Sequence, residues 1–120
     1  MRAESFFMQP KTPKLLEDVR DSCAFILDST RGRTLESFSS DRMLYQAVER
    51  NFEIIGEALN RLSKVDAEAA ARISDYPQII SFRNVLIHGY DAIERSVVWE
   101  VIQGNLPALR REVEALLSEI

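Results

Sequence analysis

The stretch Asp41–Leu62, DRMLYQAVERNFEIIGEALNRL, decides the fold class of this chain. Its apolar residues recur at steps of three, four and seven, the spacing that places side chains on one face of an α-helix. Ser39, Ser40 and Asp41 stand at its start and offer an N-cap. The stretch therefore predicts a long amphipathic helix. Its apolar stripe consists of Leu44, Val48, Ile55, Leu59 and Leu62, widened by Ala47, Phe52 and Ala58.

Two residues of this helix do not fit a simple apolar stripe. Gly56 costs about 1 kcal/mol relative to alanine in a helix interior, so we expect the backbone of a neighbouring helix to approach closely there. Asn51 lies on the stripe one turn before Ile55, and an inward-facing polar group needs a hydrogen-bond partner. This region therefore predicts a second helix packed tightly against the first.

The residues before this stretch also show helical spacing. Thr12 and Pro13 are typical of an N-cap and a first helical residue, and the pattern predicts a helix that ends near Ser29. Thr30 to Phe38 is predicted to be a connecting loop, and residues 1–11 show no periodicity and are expected to be loosely ordered. The apolar residues of this first helix are Leu15, Leu16, Val19, Cys23, Ile26 and Leu27.

The second half of the chain predicts three further helices. Asp66 can cap a short helix through Ile73, and Pro77 begins another that Gly89 would end as a C′ residue. The apolar pattern from residue 93 to residue 120 predicts one last long helix, kinked at Pro107 because proline removes a hydrogen bond and crowds the preceding turn. We therefore expect a single all-α domain over residues 1–120, an up-and-down bundle of four to five antiparallel helices.

Composition excludes several classes of protein. A chain of 120 residues with 46% hydrophobic residues is one ordinary globular domain and too apolar to be disordered. Cys23 is the sole cysteine, which excludes an intrachain disulfide and a Cys-rich metal site, and its spacing makes it a core residue. The apolar run at Phe6-Phe7-Met8 is too short for a secretory leader, and no stretch approaches the roughly 20 apolar residues of a membrane span. These features predict a cytoplasmic protein without a membrane partner.

The net charge limits how the chain could bind nucleic acid. A formal charge of −4 argues against a protein that coats DNA or RNA through general electrostatic attraction. An RNA-cleaving enzyme remains compatible with it, because a local group of arginines can attract a phosphate within a Debye length. Any RNA site must therefore concentrate basic residues.

The segment Arg83–Tyr90, RNVLIHGY, carries the residues most suited to chemistry. His88 is the only histidine, and Asn84 stacks on the same helix face one turn before it. Arg83 lies about 140° from His88 around the helix axis, so its long side chain must bend to reach the histidine. Tyr90 follows Gly89, so the turn of the chain decides where its hydroxyl points.

These groups suit the cleavage of a phosphodiester. A ribose 2′-OH that attacks the adjacent phosphorus needs a base, the leaving oxygen needs an acid, and histidine titrates in the range for both. A guanidinium such as that of Arg83 can stabilise the charge gathered on the phosphorane. Asn84 could orient the imidazole, and Tyr90 could position the phosphate. One histidine cannot easily serve as acid and base together, so we expect a homodimer that brings two copies to one cleft.

Residue type and spacing alone leave other interpretations open. A histidine near a helix C-terminus is often a favourable end-of-helix charge, Tyr90 could be a ring at the edge of the core, and Arg83 could be a surface ion-pair partner. A second set of charged residues lies at helical steps in the long helix and could form an exposed ion-pair ladder or line a dimer or partner surface. That set is Arg50, Glu53, Glu57 and Arg61.

Two segments together resemble a known family. Arg83-Asn84-x-x-x-His88 resembles the signature of the HEPN superfamily, and its extension through Tyr90 resembles the Arg-x4-His-x-Tyr motif of HepT-like toxins. Asn51-Phe52-Glu53-Ile54-Ile55-Gly56-Glu57-Ala58 is similar to that family's Asn-x-Glu-Ile-Ile-Gly-Glu-Ala stretch, and Asn105-Leu106-Pro107 is similar to part of its final helix. The resemblance covers residues 13–117. Tyr76-Pro77-Gln78 lacks the tryptophan often found before the motif.

The resemblance implies a function and a set of roles. HepT-like proteins are helical dimers that act as metal-independent ribonucleases in type VII toxin–antitoxin pairs, so an RNA substrate and no cofactor or metal are expected. Arg83 and His88 would be catalytic, and Asn84 and Tyr90 would support them. The partner would be a minimal nucleotidyltransferase antitoxin that transfers AMP to Tyr90. A non-catalytic helical adaptor that binds such a transferase, or a purely structural dimer, remains the alternative.

Overall fold

The computed structural model describes residues 8–88 and 94–120, and within them the chain is all-α. Five of its helices have ten or more residues, and two are short. The order is α1 (Thr12–Thr30), α2 (Leu35–Ser40), α3 (Arg42–Val65), α4 (Ala67–Ala71), α5 (Tyr76–His88), α6 (Arg95–Gly104) and α7 (Leu106–Leu117). None of these helices combines the length and apolar character needed to cross a bilayer.

Helix α3 is the centre of the bundle, with α1 and α5 packed against it and α7 packed against α1. The predicted apolar stripe of α3 is confirmed, since Val48, Ile55, Leu59 and Leu62 are completely buried. Asp41 caps the helix by accepting a hydrogen bond from the Leu44 backbone N–H, as the sequence predicted. Within residues 8–88 and 94–120, the largest buried side chains are Phe38, Phe52, Leu16, Ile26, Ile55, Leu59, Leu62, Ile73, Ile102, Leu106, Leu109 and Leu116.

Cys23 is a core residue, as predicted. Its side chain is fully buried on α1, and burial raises the pKa of its thiol to about 12 because a thiolate would lose its hydration there. The thiol therefore contributes packing in the folded chain and is not a reactive group.

Three boundary predictions were wrong. Residues 30–38 are not only a loop, because Thr34 and Ser37 form a reciprocal cap that starts the short helix α2. The last predicted helix is two helices, α6 and α7, separated at Asn105, and Pro107 stands in the first turn of α7, where a missing N–H costs nothing. Thr12 is not the cap of α1. Its hydroxyl instead donates a hydrogen bond to Asp66.

Asp66 joins three parts of the bundle. It is 5% exposed, caps α4 through the Ala69 N–H, and accepts hydrogen bonds from the Thr12 hydroxyl and the Gln9 backbone N–H. Burial alone would raise the pKa of this carboxyl, but the three hydrogen bonds outweigh it and hold the pKa below its ordinary value of 3.8. The ionised form therefore stabilises the fold.

We expect Asp66→Ala to lower the free energy of unfolding by roughly 2–4 kcal/mol, because the cap is lost and buried donors are left unpaired. Since the folded pKa lies below the ordinary value, the carboxylate's contribution is complete above pH 3.8 and is lost as pH falls through the folded pKa. Urea unfolding at pH 7 and pH 3 measures both effects. The control Asp28→Ala removes only an exposed ion pair with Arg31 and should change stability by less than about 0.5 kcal/mol. Equal stability losses for the two variants at pH 7 would contradict the assignment.

Candidate active site

Helix α5 carries the predicted site residues and packs on α3 through one side. Ile79 and Leu86 are buried, and the half-buried ring of Phe82 meets Phe52 of α3 edge to face, with centroids 5.2 Å apart. The next residue, Arg83, meets Gly56 of α3 along the same seam. Among the described residues, the side of α5 opposite this seam is exposed.

That exposed side carries Asn84 and His88. They lie one turn apart, a rise of about 6 Å along the axis. Two apolar side chains flank them, Val85 at 45% exposure and Ile87 at 39%. The helix therefore presents a polar pair bordered by two partly exposed apolar residues.

Arg83 lies between the buried seam and the exposed side. Its Nη1 donates a hydrogen bond to Oδ1 of Asn84 at 2.9 Å, which turns the guanidinium toward the side that exposes His88. Its Nε is buried and has no hydrogen-bond partner among the described residues. Within residues 8–88 and 94–120 no carboxylate lies close enough to form an ion pair with it, whereas Arg50 pairs with Glu53 at 3.4 Å. The structure therefore gives no support to a surface ion pair for Arg83 in the described part of the chain.

Gly56 is the part of the site that the sequence identified for a different reason. We expected the backbone of a neighbouring helix to approach it, and the neighbour is instead the side chain of Arg83. A Cβ at position 56 would lie 2.3 Å from Cβ and 2.5 Å from Cγ of Arg83. The sequence indicates only that Gly56 and Arg83 both belong to helices. Pairing them requires knowing the register of α5 on α3.

The segment with Gly89 and Tyr90 lies outside the described residues, so the expected roles of both remain predictions. The described chain resumes at Glu94, and α6 begins at Arg95. The Arg95 guanidinium stacks 4.2 Å from the centroid of the Tyr45 ring and donates a hydrogen bond to the Ser39 carbonyl oxygen. This arginine therefore holds the start of α6 against α2 and α3, a role that the sequence analysis missed because the residue follows no pattern.

The second charged set on α3 does not form a continuous ladder among the described ion pairs. Arg50 pairs with Glu53, while Glu57 and Arg61 line a groove of about 180 Å³ between α1 and α3. Asn51 is half-buried, and its Nδ2 donates to the Ala47 carbonyl oxygen of its own helix at 2.8 Å. The partner that Asn51 needs is therefore supplied within α3.

The arrangement on α5 combines two useful chemical properties. Arg83 is a cation that no described carboxylate neutralises, and its position against α3 limits the directions its Nη atoms can take. His88 is an exposed imidazole on the adjoining side of the same helix. A guanidinium can bind an anionic group, and an imidazole can transfer protons to or from such a group.

Comparison with known proteins places the chain in a family. The family described as "Ribonuclease HepT-like" matches residues 19–116. A protein of Caldanaerobacter subterraneus subsp. tengcongensis named "Putative RNase" is 33% identical over 91% of this chain and 97% of its own length. The "Probable ribonuclease HepT" of Thermococcus cleftensis is 30% identical over 84% of this chain and 91% of its own length. No solved structure matches the chain significantly. With a family match that spans most of its length and the bundle described above, the chain is a member of the HepT-like family of the HEPN superfamily.

Proposed function

We propose that this chain is the ribonuclease toxin of a toxin–antitoxin pair, a metal-independent RNA endonuclease whose active site forms at the cleft of a homodimer. Membership of the HepT-like family and the names of the relatives support the ribonuclease activity. The observation that carries the proposal is the Arg83 guanidinium, which no described carboxylate pairs and which turns toward the helix side that exposes His88.

In the proposed reaction the ribose 2′-oxygen attacks the adjacent phosphorus and the 5′-oxygen leaves. The products are a 2′,3′-cyclic phosphate and a 5′-hydroxyl. One imidazole accepts the proton of the 2′-OH, and a second donates a proton to the leaving oxygen. Arg83 stabilises the negative charge of the phosphorane. Asn84 holds the guanidinium in place, and Tyr90 positions the phosphate.

The homodimer supplies the second imidazole. A two-fold axis beside α5 would set two copies of His88 across one cleft, because an isologous interface brings the same surface of both subunits together. Val85 and Ile87, exposed on either side of the polar pair, are the apolar residues that such an interface would bury.

The proposed antitoxin is a minimal nucleotidyltransferase that modifies Tyr90. The phenol oxygen attacks the α-phosphorus of ATP, pyrophosphate leaves, and the phenolic proton is released. The attached AMP carries a phosphate charge, so beside Arg83 and His88 it would compete with an RNA phosphate for the same cation. Modification would therefore silence the toxin.

Cleavage of RNA by the purified dimer tests the activity. In the presence of EDTA, we expect the unsubstituted protein to release fragments with cyclic phosphate ends. His88→Ala should lower the cleavage rate by about 10²–10⁴-fold, the usual contribution of a general acid or base. Arg83→Ala should lower the cleavage rate to a similar extent. Equal cleavage by all three proteins would remove the proposal, and loss of activity in EDTA would contradict metal independence.

The intact mass of the Tyr90 peptide, after co-expression with the proposed nucleotidyltransferase antitoxin, tests the regulation. We expect AMP additions on the unsubstituted chain and none on Tyr90→Phe. If the isolated chain proves harmless to its host while the transferase is toxic, the adaptor alternative is correct and the toxin proposal is not.

A further inference from the structure

Gly56 lies in the middle of α3, where its missing side chain makes room for Arg83. An ideal Cβ there would stand 2.3 Å, 2.5 Å and 3.1 Å from Cβ, Cγ and Cδ of Arg83. Contacts this short do not occur between real carbon atoms, and the first of them involves a Cβ that cannot rotate away. A side chain at position 56 would therefore force α3 and α5 apart.

Among the described glycines, only Gly56 makes such a contact. Gly104 is also helical, at the end of α6, and a Cβ built there meets nothing within 4 Å. The Phe52 and Phe82 rings lie next to the Gly56 contact along the same seam, 5.2 Å apart. The aromatic pair and the glycine together set the distance between the two helices at Arg83.

Packing alone does not explain why the residue on Gly56 is an arginine. The Nε of Arg83 is buried without a hydrogen-bond partner among the described residues, although buried donors are nearly always bonded. An apolar side chain of the same length would fill this space without leaving a donor unsatisfied. The fold therefore tolerates the unsatisfied Nε of Arg83 at the seam. The same packing fixes the stem of this side chain, and its Nη1 reaches Asn84.

We infer that Gly56 is a positioning residue of the active site: by its lack of a side chain it sets the helix spacing that aims the Arg83 guanidinium. This inference rests on the proposed ribonuclease function for its catalytic consequence. It does not rest on that function for the placement of Arg83. A displacement of the helix by about 1 Å can cost on the order of 10²-fold in rate even when no reacting group is removed.

The test compares Gly56→Ala with the matched control Gly104→Ala. Both change a helical glycine to a better helix former. We expect Gly104→Ala to retain the cleavage rate of the unsubstituted protein. Gly56→Ala should lower kcat by about 10²-fold with a smaller change in KM. The variant loses the orientation of the Arg83 guanidinium in the transition state, whereas general binding of RNA is retained. A Gly56→Ala variant that is folded and cleaves at the original rate would overturn the inference.

Exchange of the Arg83 side-chain Nε–H with solvent, followed by NMR, gives a readout independent of activity. Arg83→Lys identifies the signal by removing it. We expect slow exchange in the unsubstituted protein and in Gly104→Ala, and fast exchange in Gly56→Ala. If Gly56→Ala does not fold at the assay temperature, the exchange rate in the unsubstituted protein is the test. Slow exchange of the Arg83 Nε–H supports the placement of Arg83 against Gly56, and fast exchange overturns it. Absence of RNA cleavage with slow exchange would count against the proposed function and leave the placement intact.

Discussion

Arg83→Met is expected to slow RNA cleavage strongly without weakening the fold. The methionine keeps the unbranched stem that lies on Gly56 and removes the buried Nε that has no described partner. The free energy of unfolding should therefore stay the same or rise by roughly 0–2 kcal/mol, because an unsatisfied buried donor is lost. The cleavage rate should fall by about 10²–10³-fold, the usual cost of removing one donor that stabilises a developing anion.

Thermal unfolding and the single-turnover cleavage rate measure the two effects on the same sample. Arg111→Met is the matched control, since Arg111 is exposed on α7 and its replacement should change neither quantity appreciably. A clear fall in the melting temperature of Arg83→Met would show that the arginine is a structural residue. Retained activity would show that its charge is not used.

Val85→Lys is expected to separate the proposed homodimer and to remove its activity. Val85 is 45% exposed in the protomer, so lysine there should leave the fold intact, and a cation near the C-terminal end of α5 is favourable for the helix. Burying that charge at the proposed interface would be costly. The cleavage rate should fall by at least about 10²-fold, because a monomer retains one imidazole for two proton transfers. The added charge is positive, so repulsion of RNA cannot explain the loss.

Sedimentation at assay concentration measures the oligomeric state beside the cleavage rate. Met43→Lys is the control, because Met43 is 83% exposed on α3. This substitution also changes an exposed apolar residue into a cation. We expect this control to remain dimeric and active. A monomeric Val85→Lys with full activity would show that one protomer is sufficient for catalysis.

The periodicity of apolar residues predicted the helices that bury a stripe of apolar side chains. It did not predict a helix that buries few side chains. Helix α3 was recognised because its apolar residues repeat over more than twenty positions. Helix α2 was missed because Phe38 alone is buried in it and its start depends on the hydroxyls of Thr34 and Ser37. The division between α6 and α7 was predicted only as a kink, because the apolar pattern continues across Asn105 and does not show where a backbone turn interrupts it.

The candidate site was predicted as residue types, while its geometry needed the register of two helices. The sequence singled out Arg83, Asn84 and His88 by their spacing on α5, and it singled out Gly56 as an anomaly in α3. Nothing in the sequence joins Gly56 to Arg83, because their contact depends on side chains from distant segments meeting at one level of the bundle. The unsatisfied Nε of Arg83 likewise follows from tertiary packing and has no local signal.

Mixing active and inactive subunits tests most directly whether two copies build one site. Unsubstituted and His88→Ala chains are combined by co-expression in equal amounts, and the total RNA cleavage rate is measured at fixed total protein. A composite site predicts that activity follows the square of the active fraction, so an equal mixture retains about one quarter of the full rate. A linear decline, with about one half retained, would show that each protomer carries a complete site and would contradict the account.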